Sequence, residues 1–440
     1  MALSGIQIYK LLPQTNCKEC GFPTCLAFAM KLAAKQVELS ACPYVSEESK
    51  ALLAESAAPP IRLITLKSNG YEVKAGNEVV LFRHEKTFYN RPGIFVRVND
   101  DLPTEEISAL AAKIEAYTTN YVGIDLTLDG FAVKDIFGDP VKFSAAVKIV
   151  RQCSRRPMIL MSDNPSVIAA GINELDGETA LIYGAKPENW EAMVEVAKLH
   201  NSALVVSSGS LEELADLTEK VKAKGVEDLV LDPVGDNLSG SLILSTQIRR
   251  LALKKNFRAL GYPVISLPRN PEAAAQAIAK YSGFVVLDNF APELAYPLLV
   301  LRQNIYTDPQ KPIQVQPGMY EINNPKPDSP VLVTTNFSIT YFSVANEVEG
   351  SGLPAWLVVC DAEGMSVLTA WAAGKFDAER IAKSIKGFNV ADKVSNKRVV
   401  IPGHVAVLSG ELEAELPEWE IRVGPREALD LPKYMKEALG

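Results

Sequence analysis

The stretch ALVVSSGSLEELADLTEKVKAKGVEDLVLD, residues 203–232, alternates two kinds of hydrophobic pattern. Ala203–Ser207 and Asp228–Asp232 are short apolar runs, whereas Leu211–Ala223 spaces its apolar residues three and four apart. Short runs are typical of buried strands, and the wider spacing is typical of an amphipathic helix. A strand, a helix and a second strand in this order predict two parallel strands joined by a crossover helix.

The same alternation fills the middle of the chain, from residue 93 to residue 306. Eight apolar runs are typical of buried strands: Ile94–Val98, Tyr121–Leu126, Pro157–Met161, Thr179–Tyr183, Ala203–Ser207, Asp228–Asp232, Pro263–Leu267 and Phe284–Asp288. Helical spacing separates most of them, as in Thr104–Thr118, Glu188–His200 and Pro271–Tyr281. Repeated units of this kind predict a (β/α)8 TIM barrel, and a doubly wound open sheet is the main alternative.

Different patterns flank this region and divide the α/β chain into five parts. Residues 1–57 are helix-rich around four cysteines and predict a small cluster domain. Residues 58–92 predict a linker with a β-hairpin that turns at Asn69-Gly70, because both residues tolerate positive φ. Residues 307–330 carry six prolines, which predict a semi-stiff linker. Residues 331–440 contain further strand-like runs, beginning with Val331–Thr335, and predict a smaller Rossmann-like α/β domain.

The composition narrows the class of protein. The chain has 440 residues, of which 48% are hydrophobic and 22% charged, as in soluble globular proteins of more than one domain. No apolar run approaches the ~20 residues that cross a bilayer, and the amino terminus lacks the pattern of a secretory signal. We therefore expect a cytoplasmic protein without a membrane partner. The net charge of −8 gives no general reason to expect nucleic acid.

Four of the six cysteines form the spacing Cys17-x2-Cys20-x4-Cys25-x16-Cys42. Three close thiolates and one distant thiolate can surround a [4Fe–4S] cube from several directions. A structural zinc site also uses four thiolates, but it more often uses two short pairs. The spacing therefore favours the iron–sulfur cluster over zinc. Cys153 and Cys360 lie in or beside apolar segments, where inert buried thiols are expected.

Two motifs make the chain resemble one protein family. The segment Asn16-Cys-Lys-Glu-Cys-Gly-Phe-Pro-Thr-Cys25 with Cys42-Pro-Tyr44, combined with Thr369-Ala-Trp-Ala-Ala-Gly-Lys-Phe376, resembles the large (gamma) subunit of the corrinoid iron–sulfur protein. That protein belongs to the acetyl-CoA decarbonylase/synthase pathway. The resemblance covers essentially the whole chain. It implies an iron–sulfur domain, a TIM barrel, a proline-rich linker and a corrinoid-binding carboxyl domain, in that order.

The resemblance also implies a function. In such proteins cob(I)amide accepts a methyl group from methyltetrahydrofolate, or from a related pterin, through a separate methyltransferase. It then passes the methyl group to the nickel site of acetyl-CoA synthase, and the [4Fe–4S] cluster reduces cobalt that has been oxidised to Co(II). The implied partners are these two enzymes and a small (delta) subunit, which forms a heterodimer with the large one. The chain itself is then a methyl carrier without a complete active site of its own.

The resemblance further implies a corrinoid that is base-off, without a histidine of the protein on cobalt. The chain has only His84, His200 and His404, and none lies in an Asp-x-His-x-x-Gly motif. Small residues let the backbone approach a large planar ligand, which favours Ala370, Trp371, Ala372, Ala373, Gly374 and Gly403 as contacts. Thr340 follows the first strand of the carboxyl domain, where open α/β sheets bind ligands. Thr334-Thr-Asn336 lies at the end of the same strand and is a candidate for the same reason.

The barrel raises a second hypothesis, that the chain is a self-sufficient pterin-dependent methyltransferase. Barrel active sites lie at the carboxyl ends of the strands, where Asp125, Asp232 and Asp288 are expected. The segment from Asp232 to Asn237 adds a polar loop. Helix capping and turn formation would explain the same residues without chemistry. A zinc-stabilised barrel without corrinoid is a third hypothesis.

Overall fold

The computed structural model describes residues 4–34, 36–57, 59–235, 237–308 and 312–438. The chain divides into two compact units. The first comprises residues 1–119 and 126–306, and the second comprises residues 120–125 and 307–440. Each unit is described by itself below. Among the described residues, no helix combines the length and the apolar character that crossing a bilayer requires.

The amino-terminal domain consists of three helices: α1 (Gly5–Leu11), α2 (Cys25–Ala33) and α3 (Glu47–Ala57). Ser4 and Gln7 form a capping box that starts α1, and the Thr24 side chain accepts a hydrogen bond from the Ala27 N–H at the start of α2. These side chains satisfy backbone donors that lack partners in the first helical turn. Ile8 and Phe28 pack in the small core of this domain, together with buried cysteines.

The predicted hairpin is confirmed as β1 (Ile64–Ser68) and β2 (Tyr71–Ala75), which pair as antiparallel strands. Leu66 and Val73 are buried in one cluster with the interior barrel residues Phe95 and Phe284. The hairpin therefore packs into the barrel core, whereas the sequence pattern placed it in a linker. It was misjudged because its apolar face is complete only when the barrel is assembled around it.

One predicted barrel strand is wrong. After β3 (Gly93–Asn99) and α4 (Thr104–Ala116), the run Tyr121–Leu126 does not enter the barrel. It lies in a separate two-stranded hairpin, β4 (Thr118–Tyr121) and β5 (Ile124–Thr127), and the next barrel strand is β6 (Gly130–Lys134). The reason is burial, since four of the five β6 residues are buried whereas the hairpin residues are mostly exposed or half-buried. Parallel barrel strands are buried on both faces and need continuous apolar runs.

The other seven predicted strands are confirmed in the closed barrel. They are β7 (Met158–Met161), β8 (Leu181–Ala185), β9 (Ala203–Ser208), β10 (Leu229–Pro233), β11 (Val264–Ser266) and β12 (Ser282–Leu287), together with β3. With β6 they form a parallel barrel in chain order, and β12 closes on β3. The helices that follow α4 are α5 (Pro140–Cys153), α6 (Pro165–Ile172), α7 (Trp190–Leu199), α8 (Leu211–Ala223), α9 (Leu238–Lys255), α10 (Pro271–Ala279) and α11 (Pro292–Tyr306). The barrel is confirmed, and the open sheet is excluded.

The carboxyl-terminal unit is a five-stranded sheet with helices on both faces. Its elements are β13 (Gly318–Ile322), β14 (Val331–Thr335), α12 (Ser338–Ser351), β15 (Ala355–Cys360), α13 (Val367–Ala372), α14 (Ala378–Gly387), α15 (Val390–Lys393), β16 (Arg398–Ile401), α16 (Ser409–Glu415), β17 (Glu420–Val423) and α17 (Leu431–Ala438). The strand order is β13-β15-β14-β16-β17, and only β13 is antiparallel to its neighbour. The chain moves from β14 to one side and later to the other, which creates a switch point between β14 and β16.

Part of the predicted linker belongs to this sheet. Strand β13 lies within 307–330 and pairs with β15 along its whole length. Pro317 precedes the strand and Pro325 follows it, so neither proline removes an amide from the ladder. The Val315 N–H also donates to the Asn336 carbonyl oxygen at 2.9 Å. Residues from Ile313 onward are therefore part of the domain; Pro309 lies outside the described residues.

Candidate functional sites

The cysteine loop between α1 and α2 has an unusual backbone. Gln14, Asn16 and Lys18 adopt positive φ values of 55°, 50° and 68°, and Gly21 follows at 81°. The Asn16 side chain accepts a hydrogen bond of 2.8 Å from the Cys25 N–H, which fixes the loop to the start of α2. Residues in the left-handed region are a component of the backbone concavities that bind anions, including many iron–sulfur sites.

The four cysteines of the amino-terminal domain are free thiols, with Cys17 and Cys20 in this loop, Cys25 at the start of α2 and Cys42 after it. Cys20, Cys25 and Cys42 contact the same hydrophobic cluster, and Cys17 is exposed beside them in sequence. Within the described residues, no three Cys, His, Asp or Glu side chains lie close enough together to bind a metal ion as they stand. In metalloproteins the convergence of thiolates is coupled to binding of the metal. The donor chemistry and the loop fit a cluster, and the assignment of all four ligands stays a prediction.

The other two cysteines differ from this set. Cys360 is buried at the end of β15, and burial raises the pKa of its thiol to about 12. It is therefore a protonated, weakly nucleophilic thiol. Cys153 is half-buried, with its sulfur 3.5 Å from the Ser108 hydroxyl.

A cavity of about 300 Å³ lies at the switch point of the carboxyl-terminal sheet. Its walls come from β14 itself, including Thr334, and from the segments that follow β16 and β17, including Pro402 and Arg426. The first turn of α13 adds Ser366 and Leu368. Open α/β sheets place their ligands at this position, because the connections diverge and leave a crevice. The cavity is the strongest candidate for a large ligand in this unit.

The predicted corrinoid contacts divide between this cavity and its surroundings. Thr340 lines the cavity. Ala370 lies on the buried face of α13 and packs in the core of the domain. Trp371 to Gly374, at the end of that helix, are exposed. Gly374 adopts a φ of 66°, which favours glycine. The preceding turn, Ser366–Leu368, reaches the cavity in place of the predicted segment, so contacts from Ala370 to Gly374 stay a prediction.

Gly403 has a structural reason to be glycine. A Cβ atom there would lie 2.5 Å from the Gly424 carbonyl oxygen and 2.8 Å from the Pro425 carbonyl carbon. Both are backbone atoms that cannot rotate away. The residue therefore lets the segments after β16 and β17 approach each other at the wall of the cavity. A direct contact of Gly403 with a ligand stays a prediction.

Three buried hydroxyl groups mark the floor of the switch point. Thr334, Thr335 and Ser338 are each at most 1% exposed. Across the described residues, none of their hydroxyl oxygens has a hydrogen-bond partner. Leaving a buried hydroxyl unpaired costs about 1–3 kcal/mol, so native proteins rarely collect three. Thr334 lines the cavity, and its hydroxyl is free to bond to the polar groups of a ligand. Hydroxyls and apolar side chains around one cavity fit the amides and ring of a corrinoid.

His404 also lines the cavity. Its Nε2 lies 3.8 Å from a carboxylate oxygen of Glu427, the range of a weak ion pair. The sequence expectation that no histidine ligates cobalt stays a prediction.

The mouth of the barrel contains a layer of polar side chains. Inward residues alternate with outward ones along each strand, and interior apolar residues such as Phe95, Leu181 and Val230 define the inward set. Two positions further along, this set becomes polar: Arg97, Lys134, Tyr183, Ser207, Asp232 and Asp288. The Arg97 guanidinium lies 2.7 Å from Asp288. The Tyr183 and Ser207 hydroxyls donate to Oδ2 of Asp232 at 2.6 and 3.0 Å.

Burial controls the electrostatics of this layer. Asp232 is 7% exposed, and burial raises the pKa of its carboxyl despite the two hydroxyl donors. Burial and the nearby Asp232 also raise the pKa of Tyr183. The positions of both aspartates agree with the prediction, since Asp232 lies near the carboxyl end of β10 and Asp288 directly follows β12.

The prediction for Asp125 is wrong. It lies in the hairpin outside the barrel, where Asn120 donates to it at 2.9 Å. Asn237 caps α9 by accepting from the Gly240 N–H, which confirms the capping explanation for that residue. Asp236 lies outside the described residues.

Family models match both the amino-terminal cysteine region and most of the rest of the chain. A family model described as "CO dehydrogenase/acetyl-CoA synthase delta subunit" matches residues 63–435, and one described as "Putative Fe-S cluster" matches residues 12–44. The "Corrinoid/iron-sulfur protein large subunit" of Moorella thermoacetica is 44% identical over 100% of both chains. The "Acetyl-CoA decarbonylase/synthase complex subunit gamma" of Methanopyrus kandleri is 34% identical and covers 99% of this chain and 98% of its own.

The solved structures are more distant. A dihydropteroate synthase from Yersinia pestis is 12% identical, covers 56% of this chain and 100% of its own, and has a TM-score of 0.40. The assignment of the barrel rests on the strand order of this chain and not on this comparison. The broad family model is described as a delta subunit, but the full-length relatives are named gamma or large, and the iron–sulfur match lies outside the region of the broad model. The chain thus belongs to the family of the corrinoid/iron–sulfur protein large subunit, the gamma subunit of the acetyl-CoA decarbonylase/synthase complex.

Proposed function

We propose that this protein is a methyl-group carrier that binds a cobalt corrinoid and a [4Fe–4S] cluster. The carboxyl-terminal unit holds the corrinoid base-off at the switch-point cavity, and Cys17, Cys20, Cys25 and Cys42 hold the cluster. When bound, the corrinoid supplies the metal that carries the methyl group, and the cluster supplies electrons to restore oxidised cobalt. The observation that carries the proposal is the cavity at the switch point, with the unpaired buried hydroxyl of Thr334 in its wall.

In this proposal the residues of the chain bind the corrinoid, orient it and shield it from water. Thr334, Thr340 and Ser366 offer hydroxyls from two different walls of the cavity. Ile339 and Leu368 are 45% exposed at its edge, which gives a planar ligand an apolar rim. Burying such a rim under a ligand removes apolar surface from water and stabilises the complex. The protein thus acts as a holder, and the reactive atom is that of the cofactor.

The finer steps of the proposal concern partners. The methyl donor is methyltetrahydrofolate or a related pterin, delivered by a separate methyltransferase in the cytoplasm, and the acceptor is the nickel site of acetyl-CoA synthase. The chain forms a heterodimer with the small (delta) subunit, since one small α/β domain leaves a broad face of the corrin uncovered. Light scattering of the co-expressed pair tests the heterodimer, and a fully active corrinoid-loaded monomer would contradict it.

An anaerobic absorption spectrum and metal analysis of the native complex test the cofactors. We expect the bands of a corrinoid together with those of an iron–sulfur cluster, and both cobalt and iron in the protein. Zinc without cobalt or iron would contradict the proposal and support the zinc-stabilised barrel. Methyl transfer to acetyl-CoA synthase, followed with labelled methyl groups, tests the carrier role separately.

The polar barrel mouth favours a second candidate function, a pterin-dependent methyltransferase within this chain. The specific observation is the buried Asp232 with its Tyr183 and Ser207 donors, next to a polar cavity of about 330 Å³ that Asp135 and Asn164 line. The isolated chain with methyltetrahydrofolate and reduced corrinoid separates the candidates. Turnover that Asp232→Asn abolishes would support the second function, and no turnover without the separate enzyme would support the carrier.

A further inference from the structure

We infer that Asn336 is a positioning residue that holds the turn before α13 against the end of β14, beside the switch-point cavity. This inference rests on the proposed function and deepens it, because it concerns how the corrinoid cavity keeps its shape. Asn336 does not line the cavity and is 1% exposed beneath it. It lies between Thr334, on the β14 side, and the turn that leads into α13.

All four hydrogen-bonding positions of the Asn336 amide are used. Its side-chain oxygen accepts from the N–H groups of Ala362 at 2.9 Å and Gly364 at 3.0 Å. Its side-chain nitrogen donates to Oδ1 of Asp361 at 3.1 Å and to the Gln314 side chain at 3.3 Å. A fully satisfied buried amide fixes its neighbours, since each lost bond leaves a polar group without a partner.

These bonds extend the contact between two neighbouring strands beyond their ends. β14 and β15 pair as far as Thr335 and Cys360. Beyond that pair, the Asn336 N–H donates to the Cys360 carbonyl oxygen at 3.0 Å, and every described hydrogen bond between 336–338 and 361–366 involves the Asn336 side chain. The cavity residue Thr334 lies near the end of β14, and the turn after β15 leads to Ser366, which also lines the cavity. The position of this turn relative to the end of β14 therefore depends on the Asn336 side chain.

The chemistry of the amide makes this role testable. Asparagine both donates and accepts, whereas an ionised aspartate only accepts. Asn336→Asp keeps the two bonds from Ala362 and Gly364 but places a carboxylate against Asp361. The other nearby charges, Glu363 and Lys375, already pair with each other at 2.5 Å. The protonated form of the new carboxyl can donate to Asp361 again.

The test measures corrinoid retention by the reconstituted full-length protein at two pH values, as a ratio to the wild type at each pH. We expect Asn336→Asp to retain cobalamin about tenfold less tightly near pH 8 and to recover near pH 5.5, because protonation restores a donor. Asn336→Asp combined with Asp361→Asn reverses the pair and should restore retention near pH 8. This double variant also decides the matter if the single variant does not fold.

Asn323→Asp is the matched control. Asn323 donates to the carbonyls of Val348 and Leu353 at 3.0 and 2.9 Å, beyond the far end of α12 from the cavity. It should lose stability without a pH-dependent loss of cobalamin. Equal retention in the Asn336 and Asn323 variants, or a double variant that is no better than the single, would overturn the inference. A wild-type protein that retains no cobalamin would instead overturn the proposed function, and this inference with it.

Discussion

The Tyr183 hydroxyl lies 2.6 Å from Oδ2 of Asp232, so side chains from β8 and β10 meet across the strand between them. Side chains from alternate strands share layers inside a TIM barrel. Here the layer is polar, and the Ser207 hydroxyl of β9 joins it at 3.0 Å from the same oxygen. The barrel mouth of this carrier-family protein therefore has a built hydrogen-bond network.

The stability of the barrel should depend on pH through Asp232. Burial raises the pKa of this carboxyl above its ordinary value of 3.8, so the folded state favours the protonated form more than the unfolded state does. Wild-type stability then falls as the pH rises from that value through the raised pKa. Asp232→Asn cannot ionise, so we expect its free energy of unfolding to rise relative to that of the wild type over the same pH range. Denaturation with urea between about pH 4 and pH 8 measures the difference.

Tyr183→Phe sharpens this prediction, because it removes a donor that stabilises the ionised Asp232. Its loss of stability should be larger at high pH than at low pH. A difference between wild type and Asp232→Asn that stays constant with pH would show that the carboxyl is not perturbed.

The unpaired hydroxyl of Thr334 should lower the stability of the protein when no ligand occupies the cavity. Thr334→Val keeps the shape and removes the hydroxyl, so we expect the corrinoid-free protein to gain about 1 kcal/mol while its affinity for corrinoid falls. Thr218→Val is the matched control, because the Thr218 hydroxyl bonds to Ala215 and Ala259 at 2.7 Å. It should lose stability and keep the affinity. Thermal unfolding and corrinoid titration measure both, and a destabilised Thr334→Val would contradict the assignment.

Gly403→Ala should disturb the same cavity through the backbone. The new Cβ would meet backbone atoms of Gly424 and Pro425, so the segments must separate at a cost of about 1–3 kcal/mol, with weaker corrinoid binding. Gly410→Ala is the control, since a Cβ there meets nothing within 4 Å and Gly410 lies in α16. It should stabilise the protein by about 0.4–1 kcal/mol. Similar effects of the two substitutions would show that the close approach at Gly403 does not matter.

Each cysteine of the amino-terminal loop should be needed for the cluster. Replacing Cys17, Cys20, Cys25 or Cys42 by Ala should remove the spectrum of a [4Fe–4S] cluster or convert it to a three-iron form, because a thiolate ligand is lost. Cys153→Ala should leave the spectrum unchanged. Iron analysis and electron paramagnetic resonance of the reduced protein decide the outcome. A full cluster in any of the four variants would remove that residue from the ligand set.

The sequence by itself determined the order of the domains and most of their strands. Runs such as Ala203–Ser208 are long, apolar and separated by helical spacing, so local pattern and tertiary burial agree. The same holds for the hairpin at Asn69-Gly70, where turn chemistry decides. The cysteine spacing likewise identified the iron–sulfur region, because those ligand types lie close together in the chain.

Only the tertiary structure selected between alternative strand assignments. It also determined which side chains from distant segments lie together. Tyr121–Leu126 and Gly130–Lys134 compete as barrel strands over a few residues, and burial on both faces selected the second. The cavity at the switch point joins Thr334, Ser366 and Arg426, which are far apart in sequence. No local pattern marks Asn336, because its four partners lie in two other segments that the fold brings together. Periodicity records which face of an element is buried, whereas a site depends on distances between elements, and those are set by packing.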